Sequence, residues 1–309
     1  MTIKRCLFLV IAMLVLGSCV TSVSGKDLAR EYYNLGNAYF QIKKYKEAIE
    51  FYQRSLDFDE YATKASFNMA YAYVALGNPD RATEIATGLL AKDPRNTSLL
   101  ELIAYAYHVK GNDDEAVAHY LKILELQPDD NEALYNLAVI NWKKKEYDKA
   151  EAYFRTLLKA GTGDPKALYG LGAMLLEKGS QKEAAGLLNQ YLELKPEDVS
   201  AYMELAKAYT GLQQYLKALE TYEKAIAVDS SAKEAWFRRA ELLLTKALDP
   251  DKGTTSLEQA LYLGFNNMSD IITLVQSVRS GPLLDHEKNK VYLVLKQRNL
   301  MPNLPEEKK

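Results

Sequence analysis

One alanine recurs every 34 residues along this chain: Ala48, Ala82, Ala116, Ala150, Ala184 and Ala218. The pattern around it runs from Ala29 to Ala232 through six frames, without insertion or deletion. A fixed period of this size makes the chain an array of like supersecondary units, each burying its apolar face against its neighbours. That resolves how 309 residues, 48% of them hydrophobic, fold without one oversized core. It also argues against an enclosed active site, because such arrays offer long grooves.

The frame 97–130 shows what one unit is. Leu100, Ile103, Ala104 and Tyr107 recur at spacings of three and four, one face of a helix. Gly111 suits a left-handed stop, and Asp113 and Asp114 open a second helix at the positive end of its dipole. Ala116, Val117, Tyr120, Ile123 and Leu124 form the second apolar face, and Pro128 closes the unit. Two helices of about 14 residues, about 21 Å each, form an antiparallel pair. Ala104 and Ala116 permit their close approach; a larger side chain at either would overpack the pair by about 1–3 kcal/mol.

This pattern resembles the tetratricopeptide repeat (TPR). The first frame carries Tyr32, Leu35, Gly36, Tyr39, Ala48 and Tyr52, and the second Met69, Ala70, Tyr73, Ala82 and Pro94. The fourth carries Leu134, Leu137, Ala138, Ala150 and Phe154, and the fifth Leu168, Leu171, Gly172, Ala184 and Pro196. The sixth carries Tyr202, Leu205, Ala206, Tyr209, Ala218, Tyr222 and Ala225. The resemblance implies an all-α solenoid, a right-handed superhelix of helix pairs with C-terminal capping helices. Its repeats are 29–62, 63–96, 97–130, 131–164, 165–198 and 199–232. A degenerate seventh spans 233–266: Trp236 and Ala240 keep the pattern, Arg239 takes a leucine position, and the phase slips by one to place Leu257 and Ala260 on its second helix. Residues 267–300 read as capping helices and 301–309 as a frayed, charged tail.

The N-terminus stands outside the array. Lys4 and Arg5 precede an apolar run from Leu7 to Leu16, too short to span a bilayer but suited to a secretory signal. The run ends in Leu16-Gly17-Ser18-Cys19, which resembles the lipobox of bacterial lipoproteins. That resemblance implies cleavage of residues 1–18 and lipidation of Cys19, the only cysteine then remaining besides the discarded Cys6. Loss of Lys4 and Arg5 with the signal takes the formal charge from -2 to -4. Val20 after the cysteine, by the same resemblance, favours the outer membrane. Residues 19–28 read as a short tether.

In TPR arrays the first helix of each pair lines the binding surface. The positions between the packing residues include Tyr33, Asn34, Asn37, Phe40, Phe67, Asn68, Tyr71, Glu101, Tyr105 and His108. Further along come Tyr135, Asn136, Val139, Trp142, Tyr169, Ala173, Met203, Lys207, Phe237 and Glu241. The candidate partner-binding set is Tyr33, Asn37, Phe67, Asn68, Tyr71, Tyr105, Tyr135, Asn136, Trp142 and Tyr169. Aromatics bring contact area at low entropic cost, and an asparagine can donate to and accept from one peptide backbone. The expectation is that Asn37, Asn68 and Asn136 hold the backbone of an extended or helical peptide while the rings hold its side chains; equally, several of these rings could pack on neighbouring helices. Asn37 and Asn68 match the amide positions of chaperone-binding TPRs, but Tyr33, Ser98 and Leu102 stand where that family's carboxylate clamp is basic, so that activity is rejected.

Other chemistry is not signalled. His108, His119 and His286 lack the spacing of a helical metal pair, and His119 reads as a helix-surface residue. Gly161 to Lys166 lacks the ending of a phosphate loop; Asp164 and Pro165 read instead as a helix start. No nucleophile–base constellation, cofactor or metal is expected, and the near-neutral charge offers no footprint for nucleic acid. The expectation is a non-enzymatic, lipid-anchored scaffold that binds a protein or peptide in the bacterial envelope. A surface adhesin and a ligand-binding accessory of a transporter are the alternatives.

Overall fold

A computed structural model describes residues 24–58, 61–159 and 163–301. Cys19, Val20, the signal segment and residues 302–309 lie outside them. The described residues hold sixteen α-helices and no strand, and they divide into two compact units, one ending at Ala133 and one beginning at Leu134.

Unit 1 holds three helix pairs: α1 (Gly25–Gln41) with α2 (Tyr45–Leu56), α3 (Ala62–Ala75) with α4 (Pro79–Leu90), and α5 (Thr97–Lys110) with α6 (Asp113–Leu126). Helix α1 starts ahead of the first expected frame, so the end of the segment read as a tether is helical. The cause is Ser24, whose side chain caps the helix by accepting from the Asp27 amide at 3.1 Å.

Unit 2 takes most of α7 (Asn131–Lys143), then α8 (Tyr147–Lys159), α9 (Pro165–Glu177), α10 (Gln181–Leu194), α11 (Val199–Gly211) and α12 (Tyr215–Val228). It continues with α13 (Lys233–Leu242), a π-helical turn (Leu243–Ala247), α14 (Pro250–Tyr262), α15 (Met268–Ser280) and α16 (Asp285–Gln297).

The period is implemented at three kinds of place. All six marker alanines are fully buried. The turn inside each pair uses one left-handed residue: Lys43, Gly77, Gly111, Lys145, Gly179 and Gln213, each at positive φ and each 34 residues after the last. The turn between pairs is capped by a side chain: Asn96 accepts from the Leu99 amide, Asp130 from Ala133, Asp164 from Ala167 and Asp198 from Ala201. Pro165 occupies the first turn of α9, as the local sequence predicts.

The seventh pair explains its own slip in phase. The next left-handed residue is Leu248 (φ 54), one place late, because the π-turn adds a residue to the first helix. Leu257 and Ala260 consequently face inward on α14, where both are fully buried. Helices α15 and α16 then close the core, bringing Ile271, Leu274, Val275, Val278, Val291 and Leu295 onto Phe237, Leu257 and Ala260. Phe237 is therefore not a surface position as its frame suggests. It is fully buried and stacked on Phe265 with ring centroids 4.0 Å apart, because the segment after α14 folds back over it.

Candidate functional site

The site forms in unit 1, where α1 and α3 run side by side with α2 behind them. Close approach is set by Gly36. A Cβ on it would lie 2.5 Å from two carbons of the Tyr52 ring, so only glycine lets that ring seat against α1. Seated there, Tyr52 is fully buried and its hydroxyl donates to Asn37 Oδ1 at 2.8 Å. Asn68 Nδ2 on α3 donates to the same oxygen at 2.8 Å and to Tyr33 Oη at 3.1 Å. Two asparagines and two tyrosines from three helices thus form one network.

The network uses half of each amide. Asn37 Nδ2 and Asn68 Oδ1 make no hydrogen bond among the described residues. Reversing both amides would serve the same contacts and still leave one donor and one acceptor free. Both residues line an open cleft of about 400 Å³, with Phe40, Gln41, Tyr52, Phe67 and Tyr71 completing the wall. Phe67 meets Tyr71 edge-on at 5.2 Å and Phe40 meets Tyr45 edge-on at 5.4 Å, which fixes the aromatic walls. Burial pushes the hydroxyls of Tyr52 and Tyr71 up to about 12, so both are neutral donors at physiological pH.

Five predicted residues are thus brought together: Tyr33, Asn37, Phe67, Asn68 and Tyr71. Their roles differ from the expectation in one respect, because Tyr33 and half of each amide are spent on the network. Gln41 and Tyr52 also line the cleft. Tyr52 reads in the sequence as core, and it is core; its hydroxyl alone reaches the wall. Tyr105 is 43% exposed on α5 and sits near Tyr71 and Glu101. Leu35, a packing position by its frame, is 41% exposed.

In unit 2 the predicted residues are mostly engaged with the protein. Tyr135 meets Phe154 edge-on at 6.1 Å, with the Lys166 ammonium 5.5 Å from its ring. Asn136 is half-buried and already has a partner. Trp142 donates from Nε1 to Glu177 Oε2 at 2.8 Å, and Tyr169 packs on Tyr191 at 5.2 Å. Each of these four thus has a contact within the protein.

Sequence reasoning missed a second cavity. About 510 Å³ lies beside the π-turn, lined by Thr210, Tyr222, Arg238, Glu241, Thr245, Lys246, Ser277 and Ser280 among others. Thr210, Thr245 and Ser280 donate to carbonyls of their own helices, leaving oxygen lone pairs for the cavity. Arg238 is held by Glu234, Glu241 and Asp270. The slip in phase is the only trace of this cavity in the sequence.

The histidines also settle. His108 Nδ1 lies 2.7 Å from Asp113 Oδ1, joining the ends of α5 and α6. His119 is not a plain surface residue: it is half-buried and stacked on Tyr107 at 5.7 Å, and burial depresses its basicity. Among the described residues no cluster of His, Cys, Asp or Glu could hold a metal ion, and no helix is long and apolar enough to cross a membrane.

Comparison with known proteins bears on the family and the fold. The family model described as the C-terminal domain of cilia and flagella-associated protein 70 matches residues 10–243. The TPR repeat-containing protein YpiA of Bacillus subtilis (strain 168) is 32% identical over 120 residues, a match covering 34% of this chain and 28% of YpiA. The C-terminal part of a TPR repeat-containing protein from Cytophaga hutchinsonii superposes with a TM-score of 0.64 at 20% identity, covering 78% of this chain and 98% of that one. YrrB, described as a TPR protein with an unusual peptide-binding site, superposes with a TM-score of 0.54 at 20% identity, covering 62% of this chain and 98% of YrrB. At such identities the superpositions speak to the fold.

Proposed function

The chain belongs to the tetratricopeptide-repeat family of the cilia and flagella-associated protein 70 C-terminal domain, and on that premise we propose that it is a non-catalytic scaffold capturing a peptide segment of a partner protein in the cleft between α1 and α3. The observation that carries the reading is the pair of half-used amides. One free donor and one free acceptor, both on the cleft, match the N–H and C=O of a peptide backbone. Aromatic walls beside them offer area for one apolar side chain. The volume of about 400 Å³ suits one large side chain rather than a folded domain.

The anchoring half of the proposal rests on the sequence alone. Leu16-Gly17-Ser18-Cys19 is read as a lipobox, with Cys19 carrying the lipid and the scaffold held at the bacterial envelope, at the outer membrane by the residue after it. In that setting the scaffold would gather components of an envelope complex.

Replacing Asn68 and Tyr71 together by Ala tests the cleft. Asn37 Oδ1 keeps its bond from Tyr52, so helicity should survive while partner capture is lost. Capture undiminished in a folded double variant would place binding elsewhere.

A second reading has one observation behind it. The hydroxyl-lined cavity of about 510 Å³ in unit 2 is of a size that takes small polar ligands. Thr245→Val and Ser277→Ala would then remove ligand-induced thermal stabilisation; a metabolite screen giving no shift with the unaltered protein would exclude it.

A further inference from the structure

Glu101 is the exception among the half-buried carboxylates of the described residues. The others of that class are all partnered. Glu151 holds Lys178 and Arg155, Glu241 and Asp270 hold Arg238, and Asp113 holds His108. Asp130, Asp164 and Asp198 cap helices. Glu101 has neither a hydrogen bond nor an ion pair among the described residues, although burying a charge without a partner is costly.

Its surroundings make the cost larger. The charges that face Glu101 are Asp130 and Glu132, both of its own sign, and with burial they hold its carboxyl above the usual carboxylate range. Tyr105 follows it by one turn on α5, and Tyr71 on α3 feels its charge. Tyr71 is also a wall of the cleft, and Glu101 holds in its repeat the position that Phe67, another wall, holds in the repeat before.

We propose that the peptide taken by this cleft carries a lysine or arginine, whose cation sits against Glu101 between the rings of Tyr71 and Tyr105 while an apolar neighbour of that residue fills the cleft. The inference rests on the peptide-binding reading and adds the charge of the ligand. A cation supplies what Glu101 lacks, a counter-charge, and can rest against the neighbouring aromatic rings as it does so. The register follows from geometry. Adjacent packed helices lie about 8–10 Å apart, and an extended chain rises about 3.3 Å per residue. The apolar and basic residues therefore stand two or three positions apart.

The test is selection of a random decapeptide display library on the unaltered protein, on Glu101→Gln, on Glu101→Lys and on the Asn68→Ala/Tyr71→Ala variant, with circular dichroism confirming the fold of each. The unaltered protein should enrich peptides with Lys or Arg two or three places from an apolar residue. Synthetic versions with that Lys replaced by Ala should bind roughly three- to tenfold more weakly. Glu101→Gln should erase the Lys–Ala difference without weakening the Ala peptide, and Glu101→Lys should turn selection towards Asp and Glu. Peptides enriched without a basic residue, or a charge preference unchanged in Glu101→Lys, overturn this inference and leave peptide capture standing. Enrichment by the unaltered protein no greater than by Asn68→Ala/Tyr71→Ala overturns both.

Discussion

Gly36→Ala sets two effects of opposite sign against each other at the base of the cleft. Alanine gains about 1 kcal/mol over glycine inside a helix. Its Cβ, however, would stand 2.5 Å from two carbons of Tyr52, whereas relaxed carbon contacts are about 3.5–4.0 Å. The ring must retreat by about 1 Å, an overpacking cost of about 1–3 kcal/mol. Retreat also draws its hydroxyl beyond reach of Asn37, now 2.8 Å away, which removes about 1 kcal/mol more. Net destabilisation is then about 1–3 kcal/mol. The protein contains its own control: Ala104 precedes Tyr120 and Ala206 precedes Tyr222 by the same sixteen residues, and both rings are buried, so an alanine at this place is compatible with the fold when the ring is seated to suit it. Native-state hydrogen exchange read on α1 and α2 measures the local effect, since repeat arrays need not unfold in one step. Tyr52→Phe, which removes only the hydroxyl, should cost about 1 kcal/mol. A Gly36→Ala variant as well protected as the unaltered protein, or better, would refute the packing argument.

Lys43→Gly, Lys145→Gly and Gln213→Gly should each raise stability by about 0.5–1 kcal/mol in urea titration, because all three side chains occupy left-handed backbone, whereas Gly77→Ala should lower it. Phe265→Ala should cost about 3–5 kcal/mol by unstacking from Phe237, and it should expose α15 and α16 to limited proteolysis before the rest of unit 2. Tyr52 and Tyr71 are neutral when folded and ionise more readily when unfolded; stability is therefore complete below pH about 10 and falls as pH rises towards 12, with tyrosinate absorbance and loss of helicity rising together. Cys19→Ala should abolish metabolic lipid labelling and leave the protein unprocessed or in a soluble fraction; labelling that persists would exclude the lipobox reading.

How much of this was legible beforehand depended on whether a feature repeats. The marker alanines, the cap at Asp164 and the stop at Gly111 recur with the period, and the sequence shows them directly. Phe237 departs from its frame because the frame is repetitive but its cover is not: the chain end of the seventh frame, with Phe265, and the two capping helices depart from the repeat pattern, so the period does not show that the position is sealed. The π-turn left only its arithmetic, a one-residue slip, since no residue type marks an extra residue in a helix. At the cleft, the sequence marks Asn37 and Asn68 as candidate binding residues on the first helices of adjacent repeats. It did not show that they bond to each other, because that depends on how deeply Tyr52 sinks over Gly36. The solitude of Glu101 is a negative property of three dimensions, and it emerges only when every other half-buried carboxylate has been matched to its partner.

The central claim is that the cleft between α1 and α3 is where a partner segment binds. A photo-crosslinking amino acid placed at Phe40, on the cleft, and separately at Gln53, exposed on α2, measures this in the native host. The account predicts a crosslinked partner from position 40 and none from position 53, with the product lost when Asn68 and Tyr71 are replaced by Ala. Equal yields at both positions, or a product indifferent to that double replacement, would contradict it.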